Sequence, residues 1–153
     1  MLNILHHYIG TKILNRIEPE ISHAIALCYL RLLNQFVKKK EIGASMLKTQ
    51  IAGMEVPSPI GLAAGFDKNA EVFNATLSLG FGFVEVGTIT PDPQFGNPKP
   101  RLFRLLEEDA LVNKMGFNNK GMLYVSKIAR KPRLGIVGVN LGANAKSIDK
   151  ILD

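Results

Sequence analysis

The chain has 153 residues, of which 46% are hydrophobic and 21% charged, so the composition predicts a folded globular protein rather than a disordered one. Lys and Arg number 19 against 13 Asp and Glu, and this net charge of +6 is not gathered into the long basic stripe that nucleic-acid binding needs. The single cysteine, Cys28, has no partner for an internal disulfide, which fits a reducing compartment, and no Cys/His cluster predicts a metal site.

The first 40 residues have the apolar spacing of two amphipathic helices. Apolar side chains recur at helical intervals over residues 2–17 and again over residues 21–36. Glu18-Pro19-Glu20 separates the two stretches, since proline suits a first helical turn and acidic residues suit the positive end of the helix dipole. We therefore expect a helix pair over residues 1–40. The longest apolar run, residues 24–30, is far short of the roughly 20 residues of a membrane-spanning helix, and a signal peptide is not expected.

The rest of the chain, residues 41–153, alternates between short apolar runs and helix-like stretches. A small hairpin is expected over residues 47–56, around Ala52-Gly53. Strands are then expected at residues 60–64, 83–88 and 136–141, and helices at 69–79, ending at Gly80, and at 118–130. Strands separated by helices imply a parallel sheet, and both a doubly wound sheet and a (β/α) barrel begin in this way.

Polar residues follow each of the three predicted strands. They are Asp67, Lys68 and Asn69 after the first strand, Thr88 and Thr90 after the second, and Asn140 and Asn144 after the third. The carboxyl ends of parallel strands form the ligand-binding face of α/β folds, although each of these residues alone is more simply a cap or a turn. Their recurrence on three successive strands favours a site.

Two further segments favour a flat, polar ligand. Small residues in Gly61–Phe66 would let a flat or phosphorylated molecule approach the backbone, or would serve close packing of a helix on a strand. Gly80-Phe81-Gly82 lacks the third glycine of a dinucleotide-binding turn, so a Rossmann site is disfavoured. Asn113–Asn119 contains three asparagines, whose amides can read a planar molecule with alternating C=O and N–H groups. The alternative there is an Asx turn that caps the next helix.

Cations and histidines elsewhere are expected to have ordinary surface roles. Lys99 is expected to be a solvated loop charge, and His6, His7 and His23 are expected to be surface or interfacial residues outside any catalytic triad. Lys38–Lys40 fits a solvated helix end, and beside an apolar helix pair it also suits an anionic membrane surface.

Several of these segments together resemble the dihydroorotate dehydrogenase family. They are residues 63–69 (AAGFDKN), 82–88 (GFVEVGT), 96–104 (GNPKPRLFR), 113–119 (NKMGFNN) and 138–142 (GVNLG). The match runs in order from about Ile51 to the C-terminus, and the N-terminal helix pair resembles the membrane-associated, quinone-dependent class 2 of the family. The fold implied is the N-terminal part of a (β/α)8 TIM barrel, about three barrel strands, preceded by the helix pair.

The resemblance implies an oxidoreductase of pyrimidine biosynthesis. It implies FMN-dependent oxidation of dihydroorotate to orotate, with a quinone as electron acceptor. The partners implied are the substrate, the quinone and a membrane lipid surface, for a monomer on the cytoplasmic side of the bacterial inner membrane. The alternatives are a non-catalytic fragment that only associates with membrane, and another TIM-barrel enzyme with a phosphorylated substrate.

The resemblance also assigns residues. Those implied to line FMN are Ala64, Gly65, Phe66, Asp67, Lys68, Thr88 and Asn140. Those implied to bind the pyrimidine are Lys68, Asn113, Lys114, Met115, Gly116 and Phe117. The catalytic base of class 2 is a serine in a downstream motif that has no counterpart before Asp153, because Ser126 and Ser147 lie in other contexts. A barrel takes about 250 residues, so the chain is expected to be an N-terminal portion, inactive alone.

Overall fold

The structure, a computed structural model, describes residues 13–37 and 47–148. In chain order, its helices and strands are α1 (Pro19–Asn34), β1 (Thr49–Ile51), β2 (Met54–Val56), β3 (Gly61–Leu62), α2 (Phe73–Ser78), β4 (Phe83–Ile89), β5 (Leu102–Leu105), β6 (Ala110–Asn113), α3 (Met122–Ala129) and β7 (Ile136–Leu141).

A three-stranded parallel sheet forms the centre of the described chain. Its order is β3-β4-β7, with β4 paired in parallel to both neighbours, so each new strand is added beside the preceding one as in a (β/α) barrel. The core lies between β4 and the helices α2 and α3, and its buried side chains are Ala70, Phe73, Leu77, Val84, Val86, Ile89 and Val125. The prediction of a parallel α/β sheet is confirmed.

The predicted elements are confirmed in order and differ in length. The third strand has the predicted bounds, and β4 runs one residue further than predicted, to Ile89. The first strand and both helices are shorter than predicted, since their predicted ends belong to loops that make other contacts. Thus α2 begins at Phe73, because residues 67–72 form a loop in which Ala70 has a φ of +57°. Gly80 follows α2 with a φ of +112°, and its N–H donates to Leu77 O at 3.1 Å, as predicted for a helix stop.

Helix α1 packs on the barrel portion through one face. Glu18 accepts a hydrogen bond from Ile21 N at 2.8 Å at its start, and Pro19 occupies the first turn, as the sequence predicts. Leu30 packs in a small cluster with Val72 and Ala75. Of the predicted helix pair, α1 is confirmed, whereas most of the first helix, Lys38–Lys40 and the expected boundary at residues 40/41 lie outside the described residues. Among residues 13–37 and 47–148, no helix is long and apolar enough to cross a membrane.

Two antiparallel hairpins flank the sheet. The predicted one, β1–β2, pairs Thr49 with Val56 around the Ala52-Gly53 turn. The second, β5–β6, pairs Leu102 with Asn113 in a part of the chain where no strand was predicted. This hairpin brings Asn113 back beside the start of β5 and so fixes where the asparagine-rich segment begins.

Candidate active-site cavity

A cavity of about 740 Å³ opens at the carboxyl ends of β3, β4 and β7. Every residue that the resemblance assigns to the site lines this cavity except Asp67. These residues are Ala64, Gly65, Phe66, Lys68, Thr88, Asn113, Lys114, Met115, Gly116, Phe117 and Asn140. The structure therefore brings together, at one sheet edge, two sets of residues that lie about 50 positions apart in sequence.

The floor of the cavity is held by backbone hydrogen bonds between the loop after β3 and the end of β4. Gly65 N donates to Gly87 O at 2.8 Å, and Gly87 N donates to Asp67 O at 3.0 Å. Gly65 has a φ of +111°, and a Cβ placed on it would have no neighbour within 4 Å. This position therefore presents bare backbone to open space, which is what a flat ring needs for close approach. A Cβ on Gly87 would instead meet Asn140 O at 2.5 Å, so glycine is required there for packing.

Lys68 places a cation beside this floor, next to Gly65. Its Nζ donates to Gly65 O, which keeps the side chain folded back toward the cavity. Burial lowers the pKa of the Lys68 ammonium, and the positive charge of Arg101 lowers the same pKa further. An incompletely solvated ammonium of this kind is stabilised by an anionic ligand.

Asp67 is the one assigned residue that does not line the cavity. It is 1% exposed, and its two carboxylate oxygens accept from Glu71 N and Val72 N, both at 2.8 Å. Burial raises the pKa of this carboxyl, and the bonds from Val72 N and Glu71 N oppose the rise. Asp67 therefore shapes the loop that carries Gly65 and Lys68, rather than offering its side chain to a ligand.

The opposite wall of the cavity is the segment from Asn113 to Phe117. Its carbonyls are held by the loop before β5, since Asn97 N donates to Met115 O at 3.0 Å and Asn97 Nδ2 donates to Lys114 O at 2.7 Å. Gly116 and Phe117 both have positive φ values, +74° and +52°, so the backbone bends sharply there. Asn113, at the start of this wall, is exposed and lines the cavity, so its amide is available to a ligand.

One buried polar atom beside this wall has no partner. Asn118 lines the cavity, and its Oδ1 makes no hydrogen bond within the described part of the chain. A buried acceptor without a donor is rare in a folded protein, so it indicates that a ligand or another part of the fold supplies the donor. The neighbouring Asn119 makes the predicted Asx turn, because its Oδ1 accepts from Gly121 N at 2.8 Å.

Three of the polar residues at strand ends serve the loops instead of the cavity. Asn69 accepts from Lys120 N at 2.9 Å, and Thr90 donates to Asp92 O at 2.6 Å. Asn144 pairs with the backbone of Asp92. Of the three, Thr90 makes the local contact expected of a turn, whereas the contacts of Asn69 and Asn144 reach loops about 50 residues away in sequence. Lys68, Thr88 and Asn140 line the cavity.

The sequence interpretation missed the residues that α1 and the β5–β6 hairpin bring to the cavity. Pro19 and His23 line it from α1, and Arg104 lines it from β5. His23 was expected to be a surface or interfacial residue; it lies at the interface of α1 with the loop after β3, where its Nε2 is 2.7 Å from Phe66 O. Burial lowers the pKa of His23, as does nearby Lys68. No local pattern indicates this role, since it depends on how α1 docks.

The fold and the cavity define a class of protein. Part of a parallel (β/α) barrel, with bare backbone, a lysine and amides gathered at its strand ends, is the arrangement of a barrel enzyme that binds a flat, anionic ligand. Among the described residues, no group of three or more His, Cys, Asp or Glu could hold a metal ion.

Comparison with known proteins agrees with this class and narrows it. The family model for dihydroorotate dehydrogenase matches residues 46–153. A dihydroorotate dehydrogenase (quinone) of Mesorhizobium japonicum is 48% identical over 147 residues, 95% of this chain and 41% of the relative. Another, of Novosphingobium aromaticivorans, is 58% identical over 114 residues, 70% of this chain and 33% of the relative. The ligand-free crystal structure of DHODH from Eimeria tenella matches with a TM-score of 0.77 and 39% identity, over 88% of this chain and 40% of that one.

The chain belongs to the dihydroorotate dehydrogenase family. It spans about 40% of the length of the curated relatives that match most of it. The (β/α)8 barrel is thereby established over the doubly wound alternative, and the chain forms its N-terminal part.

Proposed function

We propose that these residues form one wall of the active site of a quinone-dependent dihydroorotate dehydrogenase. Its reaction is the oxidation of dihydroorotate to orotate in de novo pyrimidine biosynthesis, with FMN as cofactor and a quinone as electron acceptor. The observation that carries the proposal is that a single cavity unites the residues proposed for FMN with those proposed for the pyrimidine. The phosphorylated-substrate alternative has no comparable observation in its favour.

The cavity has the features that FMN requires on this side. Bare backbone at Gly65 fits the face of a flat ring system, and Lys68 and Asn140 offer hydrogen-bond donors at its edge. When bound, FMN supplies the chemistry, accepting a hydride from the substrate and passing electrons to the quinone. The chain contributes position and electrostatics. The flavin ring would lie against Ala64, Phe66 and Thr88, and Lys68 would bring positive charge to it.

The pyrimidine would lie between Lys68 and the Asn113–Phe117 wall. The Lys68 ammonium is placed for the substrate carboxylate, since a charge-assisted hydrogen bond is the strongest contact this cavity can make with an anion. Asn113 can donate to a ring carbonyl and accept from a ring N–H, while Gly116 and Phe117 can contribute backbone groups. Lys114 and Met115 complete this wall.

The proton acceptor is proposed to be a serine from the part of the fold that these 153 residues do not include. None of the described residues lining the cavity is a serine. We propose that Lys68 and the Asn113–Phe117 wall bind and orient the substrate, while the downstream serine removes the C5 proton of dihydroorotate. We accordingly propose that the chain alone does not oxidise dihydroorotate.

Replacing Asn113 by alanine is expected to weaken orotate binding about tenfold to a hundredfold, because the bound ring would lose its proposed hydrogen bonds with the Asn113 amide, at a cost of roughly 1–3 kcal/mol. The measurement is the change in flavin absorbance on titration with orotate. The protein is a chimera of residues 1–153 with the remaining part of the Mesorhizobium relative. Gln50→Ala, which removes an exposed amide from β1, is the matched control. Equal orotate affinity in Asn113→Ala and the unmodified chimera would place the pyrimidine elsewhere.

The membrane association of the protein is proposed to involve the free face of α1. A stripe of exposed apolar side chains at helical spacing runs along this face and continues just past the end of the helix: Ile21, Ile25, Tyr29, Leu32 and Phe36. Such a stripe suits an interfacial helix. We propose that it rests on the cytoplasmic face of the inner membrane and that the protein is a monomer. Because Pro19 and His23 of the same helix line the cavity, a quinone leaving the bilayer along α1 would arrive at the site.

The double substitution Leu32→Gln and Phe36→Gln is expected to reduce co-sedimentation with liposomes several-fold, since each side chain contributes apolar area to the lipid boundary. Leu47→Gln with Met54→Gln, which changes exposed apolar residues of the first hairpin region, is the control. Unchanged sedimentation of the α1 variant would remove α1 from the membrane contact. Lipid binding without any orotate binding would favour the alternative of a membrane-associating fragment.

A further inference from the structure

We infer that Glu20 and Arg101 are a positioning pair that fixes the Asn113–Phe117 wall of the cavity relative to helix α1. The inference rests on the proposed function for what the wall binds, and on the structure alone for the coupling itself. It assigns a role to two residues that do not themselves bind substrate in the proposed site, because neither lines the cavity.

Arg101 makes a two-pronged contact with α1. Its Nη2 donates to Glu20 Oε1 at 2.6 Å, and its Nε donates to Glu20 Oε2 at 3.2 Å. The side chains of Arg101 and Glu20 are only 8% and 14% exposed, so solvent screens this pair little. The geometry is that of a fork-on-carboxylate contact, which fixes orientation as well as distance. The contact lowers the pKa of Glu20, with Arg101 as the largest cause of the lowering.

The same guanidinium holds the loop that precedes β5. Its Nη1 donates to Phe95 O at 2.5 Å and to Asn97 O at 3.1 Å. Arg101 is therefore bonded through every nitrogen of its side chain, on one side to α1 and on the other to this loop. A lysine could not make both sets of contacts, because it has one nitrogen in place of a planar fork.

The loop in turn holds the backbone carbonyls of the Asn113–Phe117 wall. Asn97 bonds the carbonyls of Lys114 and Met115 through its side chain and backbone, and Lys114 N donates to Arg101 O at 2.9 Å. A Cβ on Gly96 would meet Met115 O at 2.2 Å, so loop and wall are in close contact. A continuous path of hydrogen bonds thus runs from Glu20 through Arg101 and Asn97 to the wall.

The path links two sides of one cavity. Glu20 stands next to Pro19 and one turn from His23, and both of these line the cavity from α1. A displacement of α1 would therefore be transmitted to Lys114 and Met115 through these hydrogen bonds, in addition to the apolar contacts that Leu30 of α1 makes in its cluster. In the proposed enzyme, this would make the helix that meets the quinone and the wall that meets the pyrimidine move as one unit.

The test is hydrogen–deuterium exchange, followed by mass spectrometry, on the purified protein without added ligand. In Glu20→Gln, amides in peptides covering residues 94–101 and 113–119 are expected to exchange about tenfold faster, since a buried charge-assisted contact is lost. Peptides of β4 and α2 are expected to keep their exchange rates, which separates lost coupling from general destabilisation. Arg101→Lys is expected to show the same pattern, because it keeps the charge and loses the fork.

Lys99→Gln is the matched control. Lys99 Nζ also lies 3.3 Å from Glu20 Oε1, but its side chain is 68% exposed, so its removal is expected to leave exchange in both peptides unchanged. Unchanged exchange of residues 113–119 in Glu20→Gln, or equal acceleration in Lys99→Gln, would overturn the inference.

A second arm adds orotate to the chimera of residues 1–153 with the remaining part of the Mesorhizobium relative, and it separates the coupling from the proposed function. Orotate is expected to protect residues 113–119 in wild type and Glu20→Gln alike, and to protect residues 19–23 in wild type alone. Protection of residues 19–23 that persists in Glu20→Gln would contradict the coupling. Absence of protection by orotate in the wild type would count against the proposed pyrimidine site, while the ligand-free arm would still decide the role of Glu20 and Arg101.

Discussion

Lys68→Ala is expected to lower kcat for dihydroorotate oxidation about a hundredfold or more, the usual effect of losing a preorganised charged donor from a site that excludes water. Lys68 is the half-buried ammonium held at Gly65 O, at the place where the cavity floor faces the Asn113–Phe117 wall. Its loss removes both the proposed contact with the substrate carboxylate and the positive charge beside the flavin. The measurement is steady-state kinetics with a soluble quinone, in the chimera of residues 1–153 with the Mesorhizobium relative.

The control for this prediction is Lys127→Ala, which removes an exposed lysine from the last turn of α3 and should leave kcat unchanged. The flavin content of each protein is read from its absorbance, so that lost turnover is distinguished from lost cofactor. A Lys68→Ala chimera with normal flavin content and normal kcat would show that the lysine is not part of the reacting site.

Asp67→Ala is expected to lower the free energy of unfolding by about 3 kcal/mol, the upper range for leaving buried N–H groups without acceptors. The carboxylate is the acceptor for Glu71 N and Val72 N, at the start of α2, and it lies in a site that water does not reach. Alanine would leave both donors unpaired and loosen the loop that carries Lys68. The measurement is urea unfolding followed by circular dichroism.

Asp92→Ala serves as the control, because Asp92 is exposed and its hydrogen bonds with Thr90 and Asn144 use its backbone. The pH dependence gives a second check. Burial holds the pKa of the Asp67 carboxyl in the folded state above its value in the unfolded state. The folded state therefore binds this proton more tightly than the unfolded state does. The contribution of the protonated carboxyl to the free energy of unfolding is full below the unfolded-state pKa and is lost as pH rises through the folded-state pKa. Asp67→Asn should lack this decline. A stability of Asp67→Ala equal to that of Asp92→Ala would contradict the structural role.

Much of the architecture could be predicted from the sequence because its signals are local. Short apolar runs followed by polar residues identified the parallel strands, and Pro19 and Gly80 marked a helix start and a helix stop correctly. The β5–β6 hairpin was missed because its strands have four residues each and its turn, Leu106–Asp109, contains no glycine. With so few residues, alternation of apolar and polar side chains is too short to distinguish from a loop.

The candidate site, like the fold, could be predicted from the sequence only in part. The sequence by itself indicated residues that could meet a flat, anionic ligand, since Gly65 and Lys68 follow a predicted strand and Asn113 opens an asparagine-rich segment. Only the tertiary structure decided that the Asp67 side chain turns inward, that His23 reaches the cavity, and that Arg101 ties α1 to the loop that holds the Asn113–Phe117 wall. The roles of His23 and Arg101 depend on how α1 packs against segments that are distant in sequence. The direction of the Asp67 side chain depends on the conformation of the loop over residues 67–72, which is fixed by the packing of Ala70 and Val72 in the surrounding core.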